Sequence, residues 1–117
     1  MSEYERQQLD KILSSIARYS RETFGDRLEA VILYGSYARG DYDEGSDIDI
    51  MVLVDIEREA LLEYKKGFNR LASRLSLEDD DCTTVSLLLD SAPHVEKWLP
   101  HIPFYQNVMR EGVRISA

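Results

Sequence analysis

The chain has 117 residues, of which 44% are apolar and 31% charged, and this composition predicts one folded domain over residues 1–117 rather than a disordered chain. Its formal net charge of -8 disfavours tight, non-specific binding to DNA or RNA duplexes. The single cysteine, Cys82, cannot form an internal disulfide, and no segment approaches the ~20 apolar residues of a membrane span, so we expect a soluble, cytoplasmic protein.

The first half of the chain predicts a helix followed by two strands. Apolar residues recur at helical spacing across residues 4–24, which is typical of an amphipathic helix. Leu28–Tyr34 is a short apolar run and predicts a buried strand. Residues 36–45 are rich in Gly, Asp and Tyr, so we expect a loop with one helical turn at its start. Asp47–Val54 predicts a second strand that is covered on both sides, because its far end is apolar on both faces.

The second half of the chain predicts further helices and strands. An apolar stripe over Glu57–Leu75 predicts an amphipathic helix, and the β-branched run Thr83–Leu89 predicts a third strand. Ser91 is expected to cap a short helix, residues 103–111 a further one, and Val113–Ile115 an edge strand. Three aromatic residues are assigned to the core or to an interface: Trp98, Phe104 and Tyr105.

The order of these elements predicts a small α/β domain of the α+β kind, with helices flanking a small β-sheet. About a dozen residues join the first two strands, too few for a helical crossover of the usual length. A hairpin-like or mixed sheet is therefore at least as well supported as a doubly wound parallel sheet.

Residues 35–49 carry features that indicate a phosphate- and metal-binding site. Gly35 and Ser36 follow a buried strand directly, where glycine allows close approach and backbone N–H and hydroxyl groups can donate to phosphate oxygens. Asp47 and Asp49 are two residues apart in a strand, so their side chains lie on one face. Two such carboxylates repel each other unless a cation lies between them, and Mg²⁺ is the expected cation because it prefers oxygen ligands. The ten residues between Ser36 and Asp47 are enough to return the chain beside the first strand.

The stretch GSYARGDYDEGSDIDI resembles the signature of the DNA-polymerase-beta-like nucleotidyltransferase superfamily, which is Gly-Ser, ten residues, then Asp-x-Asp. Its forms GS-x-A-R-G and S-D-I-D are similar to those of the minimal nucleotidyltransferase (MNT) group. The resemblance implies that Ser36, with Gly35 beside it, contacts nucleotide phosphates. It also implies that Asp47 and Asp49 ligate Mg²⁺ and that Arg39 helps to neutralise a triphosphate.

The resemblance further implies an enzyme that moves a nucleoside monophosphate, AMP from ATP, onto an acceptor hydroxyl. Members of the MNT group are similar to antitoxins that pair with an all-helical HEPN ribonuclease and transfer AMP onto it. The expected partner is therefore a helical HEPN-like protein, with a homodimer as the alternative. A non-catalytic, antitoxin-like module that binds nucleotide or masks a toxin is the alternative function.

The predicted third strand departs from the superfamily pattern. The superfamily adds a third carboxylate from a later strand, as metal ligand and base, whereas residues 83–89 contain no acid. Asp81 is assigned this role, because it can lie at the start of the strand and level with Asp47. The alternative is that Asp81 and its neighbours Asp79 and Asp80 form only the solvated acidic end of a helix. Asp90, the other nearby acid, lies just after the strand. Without a third carboxylate, the domain would bind nucleotide with weak or no catalysis.

Overall fold

In a computed structural model that describes residues 1–116, helices flank a four-stranded sheet. The helices are α1 (Glu3–Phe24), α2 (Ser36–Arg39), α3 (Leu62–Glu78), α4 (Ala92–Trp98) and α5 (Pro103–Glu111). The strands are β1 (Leu28–Tyr34), β2 (Ile48–Val54), β3 (Val85–Ser91) and β4 (Val113–Ser116). Short 3-10 turns precede β1 and α3. The predicted elements are all present, with β2 beginning one residue later than predicted and β3 beginning and ending two residues later.

The sheet has the strand order β3-β2-β1-β4 and is mixed, which confirms the predicted fold class. β1 pairs with β2 and with β4 in antiparallel fashion, and β2 pairs with β3 in parallel. In this register, Asp49 of β2 lies opposite Tyr34 of β1 on one side and opposite Ser86 of β3 on the other. The C-terminal end of β1 and the N-terminal ends of β2 and β3 therefore lie side by side at the same end of the sheet.

One face of the sheet packs against α1 and α3. α1 begins at a cap in which Ser2 Oγ accepts a hydrogen bond of 3.1 Å from the backbone N–H of Glu5, and its apolar stripe faces the sheet. The resulting first core takes alternate residues of β2: Ile48, Ile50, Val52 and Val54. Because side chains alternate along a strand, Asp49 and Met51 face the other side of the sheet.

The opposite face of the sheet packs against α4 and α5. This second core contains Met51 and Leu53 of β2 together with Val95 of α4 and Val108 of α5. Asp49 lies one alternation before Met51, so its side chain points to the α5 side of the sheet. No helix within residues 1–116 has the length and apolar composition that crossing a lipid bilayer requires.

Candidate functional site

Gly35 and Ser36 lie where β1 ends and the short helix α2 begins. Gly35 has a φ of 75° and a ψ of -155°, a conformation that is essentially restricted to glycine. A Cβ atom on Gly35 would overlap the Oδ2 atom of Asp49. Glycine is thus required here by the backbone and by the neighbouring carboxylate, and the turn it allows brings Ser36 beside Asp49.

The two predicted metal ligands differ in their surroundings. Asp47 is exposed just before β2, whereas Asp49 is half-buried within the strand. Burial raises the pKa of the Asp49 carboxyl, and the charge of Asp47 raises it further, while the charge of Arg39 opposes both effects. The ionised pair is therefore unfavourable without a cation beside it.

A cleft of about 420 Å³ joins the residues of the sequence motif to α5. Its volume lies within the roughly 300–1,000 Å³ that ligand sites usually have. The lining residues come from β1, α2, β2 and α5: Tyr34, Gly35, Ser36, Arg39, Asp49, Phe104, Asn107, Val108 and Glu111. The structure therefore brings the predicted phosphate-binding residues and Asp49 together in one cleft.

Arg39 lies at the rim of this cleft and is held by two carboxylates. Its Nε donates to Asp41 Oδ2 at 3.2 Å and its Nη1 donates to Glu111 Oε2 at 3.3 Å. These hydrogen bonds raise the pKa of Arg39, so the guanidinium stays charged. Exposed ion pairs of this kind contribute little to stability because water screens them, so a phosphate group can replace them at little cost.

The structure contradicts the placement predicted for Asp81. Asp81 is exposed and lines a different cleft with Tyr37 and the start of α1. A smaller pocket next to it is lined by Asp81 and Ile48, and Ile48 points to the first core, away from Asp49. The reason is a tight turn after α3, in which Asp79 Oδ2 accepts hydrogen bonds from the backbone N–H groups of Asp81 and Thr83.

Ser86 is the residue of β3 that lies beside Asp49, and sequence reasoning missed it. The parallel register of β2 and β3 could have identified it, but that register is not visible in a single sequence. The acid on the same side of β3, Asp90, is buried and accepts hydrogen bonds of 2.8 Å from Tyr105 Oη and from the backbone N–H of Ser91. Asp90 therefore stabilises the second core.

The carboxylate pair fits a magnesium ion only when other groups complete its coordination. Within residues 1–116, no three side chains of His, Cys, Asp or Glu lie together so as to hold a metal ion. Asp47 and Asp49 offer oxygen ligands, and the raised pKa of Asp49 shows that a cation beside it would be favourable. Magnesium usually takes one or two carboxylates and obtains its remaining ligands from water and substrate phosphates.

Residues 10–103 match the family of nucleotidyltransferase domains, so the chain belongs to this family. The match confirms the resemblance seen in the sequence and the predicted enzyme class. Gly35, Ser36, Arg39 and Asp49, which belong to the part of the sequence that carries the resemblance, line the cleft, whereas Asp47 does not.

Two relatives from Methanocaldococcus jannaschii share the description putative protein adenylyltransferase. One is 51% identical over 55 residues, which cover 47% of this chain and 54% of that relative. The matched segment thus spans about half of the relative's length. The other is 28% identical over 103 residues, which cover 88% of this chain and 93% of that relative.

The fold is similar to that of a chain in a crystal structure of a toxin–antitoxin with AMP-PNP. The two chains superpose with a TM-score of 0.50 and are 22% identical, and the match covers 92% of this chain and 69% of that one. At this identity the similarity concerns the fold.

Proposed function

We propose that this nucleotidyltransferase moves AMP from ATP onto a hydroxyl group of a partner protein. The observation that supports the proposal most directly is that Ser36, Arg39 and Asp49 line one cleft. The description of the two relatives as protein adenylyltransferases supports a protein acceptor. The resemblance to MNT antitoxins makes a helical HEPN-like toxin the proposed acceptor.

In this proposal, the turn from β1 into α2 binds the triphosphate. The Ser36 hydroxyl donates a hydrogen bond to a phosphate oxygen. The backbone N–H groups of Ala38 and Arg39 already donate to the Gly35 carbonyl oxygen at 3.1 and 3.0 Å, so the further donors for phosphate are the N–H groups of Ser36 and Tyr37. Arg39 exchanges Asp41 and Glu111 for phosphate oxygens and neutralises part of their charge. Gly35 leaves the space in which the Asp49 carboxylate lies next to the backbone.

Asp47 and Asp49 would hold Mg²⁺ in this site. When bound, Mg²⁺ neutralises charge on the triphosphate and orients it for in-line displacement. The acceptor hydroxyl attacks the α-phosphorus and forms a new P–O bond, while the bond to the bridging oxygen breaks and pyrophosphate leaves. The proton of the hydroxyl passes to solvent. The protein contributes mainly by positioning the reactants and by stabilising charge.

Label transfer from α-labelled ATP tests the proposal. The chain is incubated with Mg²⁺, labelled ATP and a helical HEPN-like protein as the candidate acceptor. Label on the partner that disappears with EDTA supports the assignment. Absence of label on any protein, together with absence of MgATP binding in calorimetry, would overturn it.

Ser36→Ala is expected to weaken MgATP binding by about 1–2 kcal/mol, because it removes a hydrogen bond to a charged group. Isothermal titration calorimetry measures the change. Ser14, which is exposed on α1 outside the cleft, provides a matched control as Ser14→Ala and should bind as the parent does. Equal affinity in the parent and in Ser36→Ala would exclude a phosphate contact by the hydroxyl.

The second candidate function is a module that binds nucleotide or partner without catalysis, and Ser86 is the observation that favours it. A serine lies where β3 approaches Asp49, and within residues 1–116 no third acidic side chain joins Asp47 and Asp49 in a group that could hold a metal ion.

Ser86→Asp tests this alternative by adding a carboxylate opposite Asp49. We expect the variant to bind Mg²⁺ more tightly and, if the missing ligand limits the reaction, to transfer label about ten times faster or more. Ser73→Asp, on the exposed side of α3, adds the same charge elsewhere and should change neither property. If Ser86→Asp gains metal affinity but neither it nor the parent transfers label, the non-catalytic function is favoured.

A further inference from the structure

We propose that α5 forms a subsite for an adenine base, in which Phe104 stacks on the base and Asn107 hydrogen-bonds to its edge. The inference rests on the proposed function, because it requires the triphosphate to lie on Ser36 and Arg39. It goes further by assigning the nucleobase to a segment outside the sequence motif.

Phe104 is a large apolar side chain with an exposed fraction of 43%, although it lies in the first turn of a helix that packs on the sheet. Its ring contacts Tyr34 edge to face, with centroids 5.6 Å apart and an interplanar angle of 82°. Tyr34 is half-buried and pairs with Asp49 across β1 and β2. Phe104 is thus supported by the rings of Tyr34 and of Tyr105, whose centroid lies 5.8 Å away, and its exposed part lines the cleft.

Within the cleft, Phe104 lies far enough from Arg39 for a nucleotide to extend from one to the other. α5 carries Phe104, Asn107 and Glu111 along the side that lines the cleft, and Glu111 contacts Arg39. Phe104 and Glu111 are separated by two helical turns, which is about 10 Å. Buried Val108 anchors this helix to the second core between them. A nucleotide with its phosphates near Arg39 can therefore extend its base along α5 towards Phe104.

Asn107 supplies the polar group of the subsite. It lies one turn after Phe104, its side chain is exposed, and it lines the cleft. Its Oδ1 accepts a hydrogen bond of 2.7 Å from Arg110 Nη2, which orients the carboxamide. The oxygen retains a second lone pair and the NH₂ group retains its donors, so one carboxamide can accept from the amino group of adenine and donate to its N7. Guanine presents acceptors at both places and fits this group less well.

Calorimetric titration of the full chain with Mg²⁺-ATP and with Mg²⁺-tripolyphosphate separates the base from the phosphates. We expect Phe104→Ala to weaken ATP binding about tenfold, the lower range for loss of a base–aromatic stack, and to leave tripolyphosphate binding unchanged. Phe104→Tyr keeps an aromatic face and should retain the affinity for ATP. Trp98→Ala removes an exposed aromatic ring on α4, outside the cleft, and should change neither ligand.

Asn107→Leu should reduce the preference for ATP over GTP while leaving tripolyphosphate binding unchanged. Circular dichroism confirms that each variant is folded. The inference is overturned if the parent binds tripolyphosphate as tightly as ATP, or if Phe104→Ala retains the parent's affinity for ATP. Either of these two results would overturn the base subsite without contradicting the proposal that Ser36 and Arg39 bind the phosphates. If the parent binds neither ligand, the proposed function fails and the subsite fails with it.

Discussion

Asp49→Asn is expected to abolish nucleotidyl transfer while leaving the fold intact and more stable at neutral pH. Transfer is lost because the cleft then has one carboxylate fewer for Mg²⁺. Stability rises because the ionised carboxylate of Asp49 is partly desolvated and is also repelled by Asp47, and the neutral amide removes both costs. Label transfer and thermal unfolding of the same samples measure the two effects.

The pH dependence of the stability difference provides a check of its cause. The folded chain holds the Asp49 proton more tightly than the unfolded chain, since the pKa of this carboxyl is raised above its usual 3.8. The stabilising effect of protonation is therefore complete at low pH and is lost as the pH rises through the raised pKa. The advantage of Asp49→Asn in melting temperature should accordingly shrink as the pH is lowered towards 3.8.

Asp55→Asn is the matched control, because it removes the same charge from an exposed position after the far end of β2. It should transfer label as the parent does. Added Mg²⁺ should raise the melting temperature of the parent and of Asp55→Asn but not that of Asp49→Asn. Undiminished transfer by Asp49→Asn would refute its role as a metal ligand.

Gly35→Ala is expected to abolish MgATP binding. This loss of binding should be larger than backbone strain alone would cause. A non-glycine residue at a φ of 75° and a ψ of -155° costs about 1–3 kcal/mol. The added Cβ would also overlap Asp49 Oδ2, so the carboxylate has to move away from the turn that carries Ser36. Gly35→Val, with a larger branched side chain, should be worse.

Gly25→Ala separates these two causes. Gly25 also has a positive φ, of 56°, with a ψ of -129°, but a Cβ there has no atom within 4 Å and lies between α1 and β1. Gly25→Ala should therefore lower the melting temperature to a similar degree and retain MgATP binding. If Gly35→Ala binds MgATP as well as Gly25→Ala does, the close packing of Gly35 against Asp49 has no functional role.

The sequence predicted the elements and the motif because both depend on nearby residues. The apolar stripe of α1, the apolar runs of β1 and β2, and the Gly-Ser turn are each readable within a short window. The connection of about a dozen residues also limited β1 and β2 to a local pairing, and the structure confirms that they are antiparallel. The relation of Ser36 to Asp49 followed from these local features.

The sequence did not predict what depends on pairing between distant segments. Asp81 was chosen for its position before a strand, but the turn capped by Asp79 directs the chain to the other side of the sheet. Ser86 could not be placed beside Asp49 without the register of β2 and β3. Phe104 was assigned to the core or to an interface, and its exposure in the cleft depends on how α5 crosses the sheet.

The cleft draws on two parts of the chain that are far apart in sequence. The turn, Arg39 and Asp49 come from residues 35–49, which join and begin to form a single antiparallel pair of strands, whereas the opposite wall is α5. Under the proposed function and the proposed base subsite, the residues that carry out the reaction and those that select the nucleotide lie in separate segments of the chain. Substitutions in α5 can change which nucleotide is accepted while the reacting groups keep their positions, so selectivity can evolve, or be exchanged between relatives, by replacing one helix.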